Sequence, residues 1–178
     1  GGLDTSALVP YMKEKYGYDI VAVLVDVGHM KDVEGLRQRA LTAGAIESVV
    51  IDAKKEFVTD YAFEALKANA LYENKYPLHS ALSRPLIAKK MVEVAHQHGA
   101  KAVGHGCTAK GNDQVRIDVS VRCLDPSIKV LGPAREWGMT RPQIMDYLAE
   151  RGIELPLTKK NPYSIDENLW GRAIECGE

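Results

Sequence analysis

Asp19-Ile20-Val21-Ala22-Val23-Leu24-Val25, set between Gly17 and Gly28, is a short run of apolar, β-branched residues without polar alternation. A strand buried on both faces needs such a run, and burial on both faces belongs to parallel sheets covered by helices. Working outward toward the carboxyl end, Val33, Leu36, Ala40 and Ala43 recur at helical spacing, and Ser48-Val49-Val50-Ile51 forms a second strand-like run. A helical segment is expected from about Lys55 to Leu71, with Phe57, Tyr61, Ala65 and Leu66 on one stripe. Helical spacing returns through Leu86, Ile87, Met91, Val94 and Ala95, closes at Gly99, and leads into the compact run Lys101-Ala102-Val103. Gly104 to Gly111 reads as a loop, Ile128-Lys129-Val130-Leu131 as a strand, and Leu155 onward as polar loop. Thr140 and Pro142 open a last helix over Ile144, Met145, Leu148 and Ala149, and Gly152 ends it. The alternation implies an α/β fold with a doubly wound parallel sheet, whose ligand crevice lies at the carboxyl ends of the strands.

Toward the amino end, Gly1-Gly2-Leu3-Asp4-Thr5-Ser6 runs straight into the helical stretch Ala7-Leu8-Val9-Pro10-Tyr11-Met12-Lys13. Glycines let a backbone approach a polyphosphate closely, and the free amides and positive dipole end of a helix favour anionic oxygens. Thr5 and Ser6 add hydroxyl donors. The competing reading of the hexapeptide is an ordinary turn and helix cap. In α/β proteins a strand normally feeds such a loop, so a strand central to the sheet is expected ahead of Gly1, and the sequence reads as a piece cut at both ends.

The 178 residues, 46% hydrophobic and 26% charged, have globular composition and the length for one full core. The formal net charge of -1 supplies no basic footprint for nucleic acid, so an anion site must be built from local amides and a few cations. Cys107, Cys123 and Cys176 form no paired motif and fit a reducing, cytoplasmic setting as structural thiols. No apolar run approaches a membrane span of roughly 18 residues, and no leader-like segment is visible.

Three further clusters carry chemistry. His105-Gly106-Cys107-Thr108-Ala109-Lys110-Gly111-Asn112-Asp113-Gln114-Val115-Arg116 packs an imidazole, a hydroxyl, amides, a carboxylate and two cations into one stretch. Lys110 and Arg116 can hold carboxylates, Asp113 can receive an ammonium group, and Asn112 can bond to either, which together suit an amino acid. Asn161-Pro162-Tyr163-Ser164-Ile165-Asp166-Glu167-Asn168-Leu169-Trp170 contains a possible capping box, with Ser164 as cap and Glu167 three residues on. Glu73 to Pro85 offers Tyr76, Ser80 and Arg84 near a helix start.

Together, the glycine loop and these clusters resemble the argininosuccinate synthase family in matching order along the whole chain. The loop alone resembles the ATP-pyrophosphatase signature, which GMP, asparagine and NAD synthetases and tRNA-thiolating enzymes share. The segments from His105 to Arg116 and from Asn161 to Leu169 are more specific. The resemblance implies an ATP-pyrophosphatase nucleotide domain over 1–155, the start of a synthetase domain over 156–178, and a cytoplasmic homotetrameric ligase of arginine biosynthesis and the urea cycle. It implies condensation of citrulline with aspartate to argininosuccinate through a citrullyl-adenylate, releasing AMP and pyrophosphate. ATP is used with Mg2+ bridging its phosphates; no direct protein ligand to the metal, no protein nucleophile, no nucleic acid and no membrane are implied.

Carried over onto matching positions, the resemblance implies that Gly1, Gly2, Asp4, Thr5, Ser6, Val25 and Gly106 bind ATP, Val25 through its backbone to adenine. Thr108, Asn112 and Asp113 bind aspartate, and Tyr76, Asn112, Arg116 and Ser164 bind citrulline. The chain departs from the pattern at Ala81 and Ala173, where relatives present citrulline-binding serines, and Ser80 or Ser83 is the expected substitute at the first. Without the family's carboxyl-terminal domain the chain itself is expected to be inactive. Two other readings stand beside this one: a tRNA-thiolating ATP pyrophosphatase, which calls for a reactive cysteine pair and a basic surface, and a nucleotide-binding module without turnover. His105 is expected to hydrogen-bond near the α-phosphate, His96 and His98 to sit on a solvated helix end, and Trp137 and Trp170 to anchor packing.

Overall fold

A computed structural model describes residues 2–109, 111–153 and 164–175, apart from the side chains of Ser164 and Glu175. Strand β1 (Val21–Asp26) pairs in parallel with β2 (Glu47–Asp52), from Val21 opposite Glu47 to Asp26 opposite Asp52. Strand β3 (Ala102–Gly104) pairs in parallel with β4 (Lys129–Leu131).

The both-faced reading of β1 is correct, and the side chains show why. Ala22 packs toward a cluster holding Leu3, Ala7 and Val9 of helix α1 (Leu3–Tyr16) and Ile144 and Leu148 of a later helix, whereas Val23 and Val25 face Phe57 and Leu86. Successive strand residues point to opposite faces, so two apolar layers demand an unbroken apolar run. Strand β3 repeats the pattern: Ala102 meets Leu8 and Met12 of α1, and Val103 joins Ala88, Val92, Ile117 and Val121 on the other side. Helix α1 therefore lies across both strand pairs on one face. Between β1 and β3 is a cavity of about 530 Å³, lined by α1, both strands, helix α2 (Val33–Thr42) and helix α5 (His79–Gln97). The strand pairs are not bonded to each other across it.

Helix α1 starts at Gly2, in an extended conformation and without a side-chain cap, and stops at Gly17, whose φ of 66° lets its N–H bond Lys13 O. Helix α5 begins well before the apolar spacing at Leu86, and Pro85 sits inside its second turn. The stretch after β2 is helical, as α3 (Lys54–Glu56), a π turn (Phe57–Ala62) and α4 (Phe63–Lys67). The wider π turn rotates the stripe: Phe57, Ala62 and Ala65 are buried, and Leu66, expected on the same face, is 62% exposed. Helix α7 (Arg141–Ala149) begins at the Thr140–Gln143 capping box and is followed by Gly152 in the left-handed region, as its sequence requires.

One segment adds to the sequence reading and one corrects it. Asp113–Leu124, after the expected loop, is a helix, α6, packed along α5, so Asp113 and Arg116 stand on a first helical turn. Ser164–Glu167 and Arg172–Glu175 are strands β5 and β6 of an antiparallel hairpin. Ser164 therefore caps no helix, and Glu167 belongs to a strand. The start of the polar segment, at 154–163, lies outside the described residues, as do Gly1, Lys110 and Cys176.

Candidate functional site

The first turn of α1 and the loop after β3 meet at the carboxyl end of the parallel strands. Gly106 makes this contact possible: a Cβ built on it would lie 3.1 Å from both Thr5 N and Thr5 Cγ2, and 3.4 Å from Asp4 C. Any side chain there would require the loop or the helix start to give by a few tenths of an ångström. The hydroxyls of Thr5 and Ser6 both donate to Gly2 O, at 3.1 and 2.9 Å, which tightens the turn. Burial pushes the Asp4 carboxyl above its ordinary range, against the pull of Arg141. With no side-chain cap at its amino end, α1 presents its opening amides to an anion.

A second cluster forms where α5, α6 and the hairpin converge. Arg84 Nε and Nη2 each lie 2.7 Å from Asp113 Oδ2, and Arg116 Nη1 donates to Asp113 Oδ1 at 2.7 Å. Arg84 Nη2 also reaches Asp166 Oδ2 at 3.3 Å, and the Ser80 hydroxyl donates to the same oxygen at 3.3 Å. Burial alone would raise the Asp113 carboxyl, but Arg84 and then Arg116 outweigh it and hold the group below the usual carboxylate range. The result is a half-buried network of alternating acidic and basic side chains, suited to a zwitterion.

The hairpin is fastened to this region by its turn. Asn168 Nδ2 donates to His79 O at 2.7 Å, Trp170 Nε1 donates to Pro77 O at 2.8 Å, and Leu169 N donates to Val27 O at 3.0 Å. Trp170 is thus a packing anchor, as is Trp137, which meets Tyr11 edge to face at 5.4 Å between ring centres. Tyr76 stands half-buried beside this turn with its ring edge to face against His79, 5.3 Å between centres. Beyond β1, Asp26 accepts N–H groups from Gly28 and Met30 and pairs with Lys54 at 2.7 Å, which shapes the loop that Leu169 covers.

Of the residues expected from sequence, Thr5 and Gly106 are brought into contact, and Asp113 and Arg116 are joined with Arg84 and Ser80. Val25 is a buried residue of β1, while Thr108 and Asn112 are exposed on the loop and at the start of α6. Ser83 is 1% exposed; its hydroxyl donates to Ser80 O at 2.8 Å and accepts from Arg84 Nη1 at 3.3 Å. The Ser80 hydroxyl bonds Asp166, which sits opposite Ala173 in the hairpin. Burial, then Asp113, pushes the Cys107 thiol up to about 11, so it stays protonated and structural. His96 is not simply solvated but lies 2.8 Å from Asp125. His105 is buried, 4% exposed, with Nε2 2.8 Å from Asp118 Oδ1. Asp166 and Asp118 carry no local sequence signal as site residues: the partner of Asp166 is 82 positions away along the chain, at Arg84.

The family model of the arginosuccinate synthase N-terminal HUP domain matches residues 1–154. The chain belongs to the argininosuccinate synthase family. Curated relatives named argininosuccinate synthase are 56% identical over 177 residues in Dehalococcoides mccartyi and in Ligilactobacillus salivarius, covering 99% of this chain and 44% of each relative. A further one, from Halalkalibacterium halodurans, is 56% identical over 99% of this chain and 43% of its own length. The chain thus spans less than half the length of these relatives. The α/β architecture with parallel strands is that of the family's HUP domain, and helix α7 closes it just before residue 154.

Proposed function

We propose that the chain is the ATP-binding part of an argininosuccinate synthase, a ligase that joins citrulline to aspartate with release of AMP and pyrophosphate. The observation that carries this reading is the junction of an uncapped helix start with Gly106, beside the Arg84–Asp113–Arg116–Asp166 network. The first accepts phosphate oxygens and the second an amino acid. Gly1, Gly2, Asp4, Thr5, Ser6 and Gly106 hold the polyphosphate of ATP, and the Val25 backbone meets the adenine. Residues at the helix start fit this group, because a Cβ at Gly106 would fill the space between loop and helix. Mg2+, held through the ATP phosphates rather than by protein side chains, would neutralise charge on the departing pyrophosphate.

Thr108, Asn112 and Asp113 hold aspartate, and Tyr76, Asn112, Arg116 and Ser164 hold citrulline. The ureido oxygen of citrulline attacks the α-phosphorus to give a citrullyl-adenylate, from which the aspartate amine displaces AMP. No side-chain nucleophile is required. Alignment of the reactants is the main contribution of the protein, and positioning of this kind supplies roughly 7–11 kcal/mol of barrier reduction. The nucleotide domain spans 1–155 and residues 156–178 open the synthetase domain, which completes the citrulline site and assembles a cytoplasmic homotetramer.

The decisive test uses the full-length protein. Pyrophosphate release from ATP is measured with citrulline, with and without aspartate, and with glutamine or tRNA as other acceptors. Release that requires citrulline, with argininosuccinate formed once aspartate is added, supports the assignment. Release driven by tRNA instead, or without any citrulline dependence, overturns it.

A further inference from the structure

Both ring nitrogens of His105 are engaged. Nδ1 accepts the Cys107 N–H at 3.2 Å, and Nε2 lies 2.8 Å from Asp118 Oδ1. An accepting Nδ1 places the proton on Nε2, so the ring is neutral and donates to the carboxylate. The other oxygen of Asp118 receives Arg135 Nη1 at 3.0 Å, and the same nitrogen reaches Gln114 Oε1 at 3.1 Å. Gln114 then turns its amide onto the carbonyls of Ala109 and Gly111, at 2.8 and 3.3 Å. These contacts run from the first residue of the loop, through α6 and the 3-10 turn Pro133–Arg135, back to the far end of the same loop.

We propose that His105, Asp118, Arg135 and Gln114 form a positioning relay that fixes the backbone at Cys107, Ala109 and Gly111 so that Gly106 rests against the first turn of α1. The inference rests on reading that turn as the nucleotide site. The bond from Cys107 N–H to the imidazole spans Gly106 and closes a tight turn around it. A Cβ placed on Gly106 would lie 3.1 Å from Thr5 N, closer than ordinary packing, so the loop backbone rests close against the helix start, and a shift of the loop moves Gly106 relative to the helix amides. A histidine that served only to fill the core would place no demand on which nitrogen carries the proton. Here the turn needs an acceptor at Nδ1, and the anchor to α6 needs a donor at Nε2.

Two substitutions separate the two contacts. In His105→Asn the side-chain oxygen can take the place of Nδ1 but cannot reach Asp118; in His105→Gln the amide can reach Asp118 but leaves the turn without its acceptor. In the full-length protein, KM for ATP, KM for citrulline, kcat and Tm are measured for both and for Gln114→Ala. His105→Gln is expected to raise KM for ATP about tenfold, the size of one lost hydrogen bond that positions a ligand. KM for citrulline should stay within about twofold, and His105→Asn should restore KM for ATP to within about threefold of wild type. Gln114→Ala, which loosens the other end of the loop without touching the buried ring, should raise KM for ATP about threefold. It carries the test if His105→Gln does not fold. Equal effects of His105→Asn and His105→Gln, or a lower Tm in any of the three with KM for ATP unchanged, overturn the relay. Wild-type protein that does not bind ATP removes the nucleotide reading itself, and the relay with it.

Discussion

Asp113 was recognised in the sequence by its chemistry and missed by its surroundings. A carboxylate among cations suggested an ammonium site, but the guanidinium that grips it comes from Arg84, 29 positions earlier, and no spacing rule links the two. Because Arg84 also reaches Asp166 across the hairpin, its replacement by lysine should not be conservative: a point charge cannot serve two carboxylates with a planar fork. Arg84→Lys is expected to destabilise the protein by about 1.5–3 kcal/mol, the value of hydrogen bonds to charged groups, read by chemical denaturation. The pH dependence follows from Asp113, whose folded-state pKa is depressed by its arginines despite burial. A depressed carboxylate contributes stability that is fully present above its unfolded pKa, about 3.9, and is lost as pH falls through the folded value. Asp113→Asn should therefore be less stable than wild type at neutral pH, with the gap closing below about pH 4 in a series of melting curves. A constant gap from neutral pH to pH 2 would show that the ion pairs are not its source.

Among the elements, β1 and β2 were legible as short apolar runs, and α1 and α7 by their local signals, a stop at Gly17 for the first and the Thr140 capping box and Gly152 for the second. Helix α6 was illegible for a physical reason. Val115, Ile117, Val119 and Val121 alternate with polar residues as a half-buried strand would, yet only Ile117 and Val121, one helical turn apart, are buried. Packing along α5 overrides the local pattern. The hairpin was illegible because strands of four residues carry almost no periodic signal, and its stability comes from docking. That docking depends on Gly28, whose φ of 107° suits only glycine and whose Cβ would fall 2.3 Å from Leu169 Cγ. Gly28→Ala should release the hairpin turn from Val27, so that limited proteolysis cuts within 168–171 at least tenfold faster than in wild type, the factor of about 1.4 kcal/mol in local opening. An unchanged cutting rate would mean that Asn168 and Trp170 hold the turn alone.

On the scale of the molecule, the cavity between β1 and β3 is the feature that the composition could not foretell. Among the described residues each of these strands is bonded on one side only, and the two face each other across about 530 Å³ lined by Leu8, Val9, Met12, Ala22, Leu24, Met91, Val94 and Val103. Unpaired strand edges buried among apolar side chains are unfavourable, since each orphaned backbone group carries a desolvation penalty of roughly 1–3 kcal/mol. A strand laid between them would satisfy both edges at once. It would have to be apolar on both faces, because α1 and α2 line one side of the slot and α5 the other. It would also have to run parallel to β1 and β3, since the amino end of α1, which the strand would feed, lies against Gly106 at their carboxyl ends. The expectation is that polypeptide ahead of Gly1 in the longer protein supplies this strand. Amides of β1 and β3 should then exchange at least tenfold more slowly in the full-length protein than in the 178-residue chain, while those of α7 change less, by hydrogen exchange with mass spectrometry. Equal protection of β1 and β3 in the two proteins would leave the slot empty in both, and the two strand pairs would then be held together by α1 and α5 rather than by a continuous sheet.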